Sequence, residues 1–542
     1  MVGLRTLDRS TMLILLLVLA TVNSLFYPSV SRFQRAATGA FTPITVHLQP
    51  TSTTPYMATF RITKNPGTLS PWVLYPQSDK TVWVVALGGG PPFVSQIINF
   101  TLGPRPQEEI VLNLTNALPS SILVDNRSGR VWFPINDTIA YYDPTTRIVN
   151  RTAVVYRGGA PQFLTQDKLG RLWVTLDGSN QIAMFDPSTQ LGRNFTVPTP
   201  RAVIQGIAVA PDGAIWFTEA QAGKLGRLDP NTGNFTEYSP PIKVVAPIQL
   251  AVGLDGVVWF TDHGSNEFGS FNPKTGEWNK FPIGYCQGTY CSIGLPNAID
   301  VDSTGEVWFS EHLPGRVARY DPKSRALTEY IIPAPPGASS IGLPYAWWAW
   351  PGPGNLVWFT SYGFGEVGYV NASVPVPLSI LAAEEVAIPE GLSRNVETVL
   401  TSTGQGTVTV GVSSSRLDYA GDVPLLSGSV FSSILGGPGT TRLGITIAVG
   451  WGVAKGAHYV MVTALDGQIA VSVPVRVRVT ENLLPYWTLA LDLSVFGAAI
   501  IVYARPRHRN IPELVSKGSD SVPEEGRASS ADPLGQIQRL IS

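Results

Sequence analysis

Short runs in which apolar and polar residues alternate recur from about residue 45 to about residue 480, each cut by a Gly, Pro, Asn or Asp dipeptide. A period of two with frequent turn punctuation marks half-buried β-strands rather than helices. The clearest copy, QGIAVAPDGAIWFTEAQAGKLGRLDPNTGNFTEYSPP from Gln205, reads as four strands joined by three turns. Its second strand carries a tryptophan that returns as Trp83, Trp132, Trp173, Trp216, Trp259, Trp308 and Trp358, at intervals of 41 to 50 residues. That interval is the length of a four-stranded propeller blade, so the spacing predicts a seven-bladed β-propeller over residues 40–372.

The punctuation keeps register with the tryptophans. Asp212-Gly213 and Asp255-Gly256 suit a tight hairpin turn, and Ser128-Gly129, Leu169-Gly170 and Thr304-Gly305 keep the glycine at the same place. Asp143-Pro144, Asp186-Pro187, Asp229-Pro230, Asn272-Pro273 and Asp321-Pro322 mark a second turn, in which proline pre-sets φ and the Asx side chain bonds the backbone two residues on. A single blade buries too little surface by itself, so the seven tryptophans are predicted to be core between stacked blades. A strand from the segment 45–62 is expected to close the ring against the last blade.

Past residue 374 the tryptophan repeat stops while the alternation continues, in ETVLTS from Glu397, TVTVGV from Thr407, HYVMVTAL from His458 and IAVSVPVRVRV from Ile469. The spacing predicts a β-sandwich over 374–482. GAHYVMVTALDG followed by VPVRVRV resembles the last two strands of immunoglobulin-like modules, which implies a stalk that holds the propeller away from a membrane.

Two apolar stretches bracket these domains. Met12 to Val22 follows Arg5 and Arg9, and residues 1–27 are expected to be a signal peptide or an uncleaved signal anchor. Leu484 to Ala504 is long enough to cross a hydrocarbon layer of about 30 Å as a transmembrane helix. Tyr486, Trp487 and Tyr503 stand at its two ends, and Arg505, Arg507, His508 and Arg509 follow, which places the polar tail 505–542 in the cytoplasm and the main body outside. The fold class is therefore all-β with one C-terminal transmembrane helix, on a single-pass protein of the cell membrane. Asp492 in mid-span is a costly group that points to an envelope protein or membrane subunit as partner.

Composition adds two restrictions. With 38 Lys+Arg against 39 Asp+Glu, a net charge of -1 supplies no basic field for nucleic acid. Sequons at Asn99, Asn113, Asn126, Asn136, Asn150, Asn194, Asn234 and Asn371 are expected glycosylation sites of an extracellular chain. The only cysteines, Cys286 and Cys291, are spaced for a small disulfide loop, with two free thiols as the alternative.

GLDGVVWFTD, APDGAIWFTE and STGEVWFSE, followed by EFGSFNP, KLGRLDP and RVARYDP, resemble the repeats of the streptogramin (virginiamycin B) lyases over roughly Leu118 to Tyr369. The resemblance implies proton abstraction and C–O cleavage that opens a cyclic depsipeptide ester. It implies histidines at the start of inner strands, with Mg²⁺ and a nearby glutamate. The matching positions hold Gln205, Gln249, Asn297 and Tyr345, none of which can take a proton near neutral pH as imidazole does.

An acid recurs after the tryptophan as Glu219, Asp262 and Glu311, with His263 and His312 beside the last two. Three carboxylates on one ring could hold a divalent cation, Mg²⁺ or Ca²⁺, and Glu311, His312 and His263 are the catalytic candidates. The alternative is structural, with each acid capping a loop or pairing with Arg316 or Lys224. Tyr345, Trp347, Trp348 and Trp350 form the densest aromatic run, expected to send Trp348 and Trp350 to one face and Tyr345 and Trp347 to the other, one pair able to stack on a glycan or small apolar ligand. The sequence thus favours a surface binding or envelope-scaffold protein with its ligand at the axial face, on Gln205, Gln249, Asn297, Tyr345 and Trp347. The second reading is a tethered, metal-assisted lyase or lactone-opening enzyme.

Overall fold

The computed structural model describes residues 43–482, apart from 63–68, 89–93, 116, 284–285, 288–289, 292–293, 339–342, 405–406, 415–425, 429–430 and 434–437, together with residue 494. The signal segment, the apolar stretch 484–504 apart from residue 494, Asp492 and the tail lie outside the described residues, among which no helix is long and apolar enough to cross a membrane.

The chain is all-β and folds as a propeller. Each tryptophan repeat forms an antiparallel sheet whose strands follow one another in sequence. Pro161–Gln166, Leu172–Leu176, Gln181–Asp186 and Leu191–Thr196 make one such sheet; Ile204–Val209, Ile215–Glu219, Lys224–Leu228 and Phe235–Tyr238 make the next. The hairpin glycines take the left-handed φ the turns demand, from +71° at Gly129 to +90° at Gly305. The Asx turns form as well: Asp143, Asp186, Asp229, Asn272 and Asp321 each accept from the backbone N–H two residues on, at 2.8 to 3.0 Å.

All seven repeat tryptophans are buried. Each of several packs against an aromatic ring on the third strand of the following sheet: Trp83 on Tyr142, Trp132 on Phe185, Trp216 on Phe271 and Trp259 on Tyr320, with centroids 5.6 to 6.2 Å apart. Trp358 of the last repeat packs on Phe100 of the first, at 5.6 Å, so the series returns to its start. The N-terminal segment clasps that seam. Met57–Arg61 pairs with Glu366–Asn371 of the last repeat, and Ile44–His47 pairs with Gln107–Thr115 of the first.

A second set of hydrogen bonds stitches neighbouring sheets. In the last four repeats the residue after the Trp-Phe pair is a hydroxyl, and it accepts from the inner strand of its own sheet while donating to the inner strand of the next. Thr218 Oγ1 accepts from Gly206 N and donates to Ile248 O; Thr261 bridges Gln249 N and Asn297 O; Ser310 bridges Ala298 N and Trp347 O. Thr360 bridges Trp348 N at 3.0 Å and Trp72 O at 3.2 Å, again joining last to first.

The C-terminal segment is not a free stalk. Leu378–Ala382, Ser393–Ser402, Gly439–Val449 and Leu426–Gly428 form one sheet, packed through Val396, Leu400, Ile445 and Ile447 onto a second that contains Val408–Ser414, Gly456–Leu465 and Ile469–Thr480. That second sheet continues into the propeller: Ile469–Thr480 pairs with the outer strand Ala326–Ile331 in the register Thr328↔Val471. The propeller's exposed edge is covered by main-chain pairing, which removes the open edge such a strand would present. Thr328 and Glu329 are buried as a result.

Candidate functional site

The acids after the tryptophans pack within their own sheets. Glu219, Asp262 and Glu311 are fully buried at the ends of their strands. Register sets each opposite the first residue of the next strand, Lys224, Glu267 and Arg316, while the outer strand adds Glu237, Lys280 and Glu329. Each sheet thus holds two acids and one cation, with the cation moved from the third strand to the fourth in the middle sheet. Lys280 lies 2.8 Å from Asp262 and 2.5 Å from Glu267; Arg316 lies 3.6 Å from Glu311 and 2.7 Å from Glu329; Lys224 lies 3.4 Å from Glu237.

The three sites differ in electrostatics. Asp262 is saturated, accepting from Val245 N, Ala246 N, Ser265 Oγ and Lys280 Nζ. Burial, then the charge of Glu329, push Glu311 well above the usual carboxylate range against the pull of Arg316. Burial and then Glu237 push Glu219 up to about 7, opposed by Thr199 and Lys224. Among the described residues no three His, Cys, Asp or Glu side chains form a metal-binding group.

The inner strands present a different chemistry. Sheet register aligns Pro161, Ile204, Pro247, Pro296, Ala346 and Pro71 as their equivalent first positions. The next residues are then Gln162, Gln205, Ile248, Asn297, Trp347 and Trp72. Gln205 and Asn297 occupy the positions the resemblance suggested. Gln249 is one residue past its equivalent position, inside the bulge that follows Pro247, and Tyr345 is two residues short of its own, ahead of the strand. Ala160, Val203, Leu295 and Tyr345, just ahead of four of these strands, have φ of +46° to +55°, a conformation that disfavours side chains with a Cβ and recurs only where the surroundings impose it.

Trp347 and Trp72 stack at 4.1 Å and 25°, both half-buried. Asn297 Nδ2 donates to Trp347 O at 2.7 Å, and the His312 ring meets Trp347 edge-on at 4.4 Å. Trp348 turns the other way and stacks on Phe163 at 5.9 Å and 8°, with Trp350 behind it at 6.0 Å. Phe163 and Trp348 come from sheets that are not neighbours, so their inner strands meet across a common axis. The bulge therefore separates Trp347 from Trp348 and Trp350, while Tyr345 precedes the strand and lies against His312 at 5.3 Å. Gly206 is required here, since a β-carbon would stand 2.8 Å from Gln249 Cα on the adjoining strand.

His263 and His312 come together, their rings 6.0 Å apart. His263 Nδ1 lies 3.0 Å from Pro296 O, and burial lowers its proton affinity. Burial, with His263 beside it, drives His312 down to about 3, and its Nδ1 has no hydrogen-bond partner. Both rings are neutral near pH 7. The groups around Trp347 are accordingly uncharged: the Asn297 carboxamide, two neutral imidazoles and a tryptophan pair.

Cys286 and Cys291 are antiparallel partners in a two-stranded ribbon, while their side chains lie outside the described residues. All the sequon asparagines are at least partly exposed. The inter-sheet hydroxyls escaped the sequence reading although the signal was present, a Thr or Ser two residues after every repeat tryptophan from Trp173 onward.

Among solved structures, the chain is similar to selenomethionine-substituted virginiamycin B lyase from Staphylococcus aureus, at 22% identity over 58% of this chain and 98% of that one, with a TM-score of 0.48. It is similar also to a streptogramin B lyase structure, at 21% identity, 58% and 98% coverage and a TM-score of 0.48. YCF48 bound to D1 peptide aligns at 11% identity over 59% and 98%, with a TM-score of 0.41. No curated protein matches. The virginiamycin B lyase family model matches residues 105–409 of the 542, a span that takes in all but the first of the tryptophan repeats and runs into the sandwich. By that match over more than half its length, this chain belongs to the virginiamycin B lyase family.

Proposed function

We propose that this chain is a membrane-anchored, cell-surface binding protein: a seven-bladed propeller whose axial mouth takes a neutral ligand with a flat apolar face, such as a glycan. The observation that carries this reading is the Trp72–Trp347 stack at 4.1 Å, bordered by the amide of Asn297. An aromatic platform with carboxamide donors and acceptors binds sugar faces and apolar rings without needing charge. The acids that would serve metal-assisted chemistry are tied into ion clusters inside their own sheets.

In the same reading the sandwich is immunoglobulin-like, 1–27 directs export, 484–504 anchors the chain, Cys286 and Cys291 form a disulfide and the exposed sequons carry glycans. The test is a neutral-glycan array probed with the full chain and with Trp347→Ala. Binding that Trp347→Ala abolishes supports the reading. No binding to any neutral glycan by the wild-type chain overturns it.

Family membership and the paired imidazoles favour a second reading, a lyase that opens cyclic esters with His312 or His263 as the proton acceptor. Incubation with a streptogramin B followed by mass spectrometry distinguishes it. Ring opening leaves the product's mass equal to the substrate's when elimination occurs, and changes its fragmentation. Opening that His312→Ala abolishes would replace the binding reading with the enzymatic one.

A further inference from the structure

Trp451 is 55% exposed, whereas the repeat tryptophans are buried. It sits in the loop between strands Gly439–Val449 and Gly456–Leu465, flanked by Gly450 and by Gly452 at φ +85°. This loop is held in place. Val453 is buried in the sandwich core, His458 Nε2 lies 2.6 Å from Ala454 O, and Lys455 Nζ lies 3.4 Å from Glu481 Oε1. The indole lies over Gly391, where any side chain would run into the ring, and the neighbouring Leu392 is 37% exposed. A fixed, exposed indole with a leucine on the adjoining turn is an apolar projection at this end of the sandwich.

The same end of the sandwich is where the described chain leaves the domain. Asn482 Nδ2 donates to Glu390 O at 2.9 Å, Glu390 N to Thr480 O at 3.1 Å, and Gly391 N to Val449 O at 2.9 Å. The Trp451 loop, the Gly391 turn and the last strand are thereby tied together. The apolar stretch opens at Leu484, two residues beyond Asn482, so the two points are at most about 7 Å apart along an extended chain. Tryptophan prefers the boundary between headgroups and acyl chains, where the ring is buried and the indole N–H stays wet.

We infer that the Trp451–Leu392 end of the sandwich docks on the outer surface of a lipid bilayer, with the Trp451 ring in the headgroup boundary. The inference rests on the reading of 484–504 as a membrane span. It makes the sandwich a foot standing on the membrane rather than a tether swinging above it.

The test uses the full chain in phosphatidylcholine vesicles containing lipid brominated in the shallow part of its acyl chains, which quenches nearby tryptophans. Wild type is compared with Trp451→Phe and Trp487→Phe, both conservative. We expect Trp451→Phe to remove roughly half of the quenchable emission, since Trp451 and Trp487 are the two indoles placed at the boundary. If Trp487→Phe lowers the quenchable emission and Trp451→Phe leaves it unchanged, the chain is anchored but the sandwich stands clear, and the docking inference is overturned. If neither variant changes it, the span reading fails and the docking falls with it.

Discussion

Glu219 offers the sharpest test of the ion clusters. Its side chain is fully buried, neither carboxylate oxygen has a hydrogen-bond partner, and burial with Glu237 moves its titration from 4.5 to about 7. The folded chain therefore binds this proton more tightly than the unfolded chain. Its contribution to stability is fully present below about pH 4.5 and is lost as pH rises through about 7. At about 1.4 kcal/mol for each tenfold change in proton affinity, the loss approaches about 3 kcal/mol. Glu219→Gln keeps the shape and removes the titration. Its stability relative to wild type should rise by up to about 3 kcal/mol between pH 4 and pH 8.5, on the order of 3 °C in melting temperature for a folded unit of this size. Thermal unfolding followed by tryptophan emission at the two pH values gives this difference directly, and any fixed cost of the amide cancels. A stability gap that is the same at both pH values would show that Lys224 keeps Glu219 ionised in the folded protein, and would refute the argument.

Two further perturbations test the ring and its ion clusters. Thr360→Val removes the hydroxyl that bridges Trp348 N and Trp72 O, at a cost of about 1–3 kcal/mol. Hydrogen exchange in Met57–Arg61 should accelerate more in Thr360→Val than in Thr261→Val, which loses the same bridge away from the seam. Arg316→Met leaves Glu311 and Glu329 buried together without their cation and should cost about 3–5 kcal/mol at pH 8. Adding Glu311→Gln should recover much of that loss, and thermal unfolding of the single and double variants checks both statements.

The repeated tryptophan with its glycine and Asx turns was enough to predict strand order, blade length and core, because those features depend on contacts within about forty residues of chain. Each Trp-Phe strand, each positive-φ glycine and each Asx turn stands where local sequence placed it. The site was less legible. The spacing reached Gln205, Asn297 and Trp347 but also named Tyr345, which lies ahead of its strand, and Gln249 where register puts Ile248, since the bulge is a property of strand pairing. Trp72 went unnoticed because its partner Trp347 lies across the seam, 275 residues away, and no local pattern encodes that contact.

The sequence by itself determined the all-β class, the repeat and the chemistry available to each sheet, since these follow from periodicity, turn residues and side-chain type. Only the tertiary structure decided what that chemistry does. Glu219, Asp262 and Glu311 look alike along the chain, but cross-strand pairing set each against its own sheet's acids and cation, and burial made the consequences unequal. The sandwich reads as a separate module until Ile469–Thr480 is found paired with Ala326–Ile331. A strand's alternation fixes which face it buries, but its edge hydrogen bonds are the same for every sequence, so which edge it joins is settled only when the whole chain has folded.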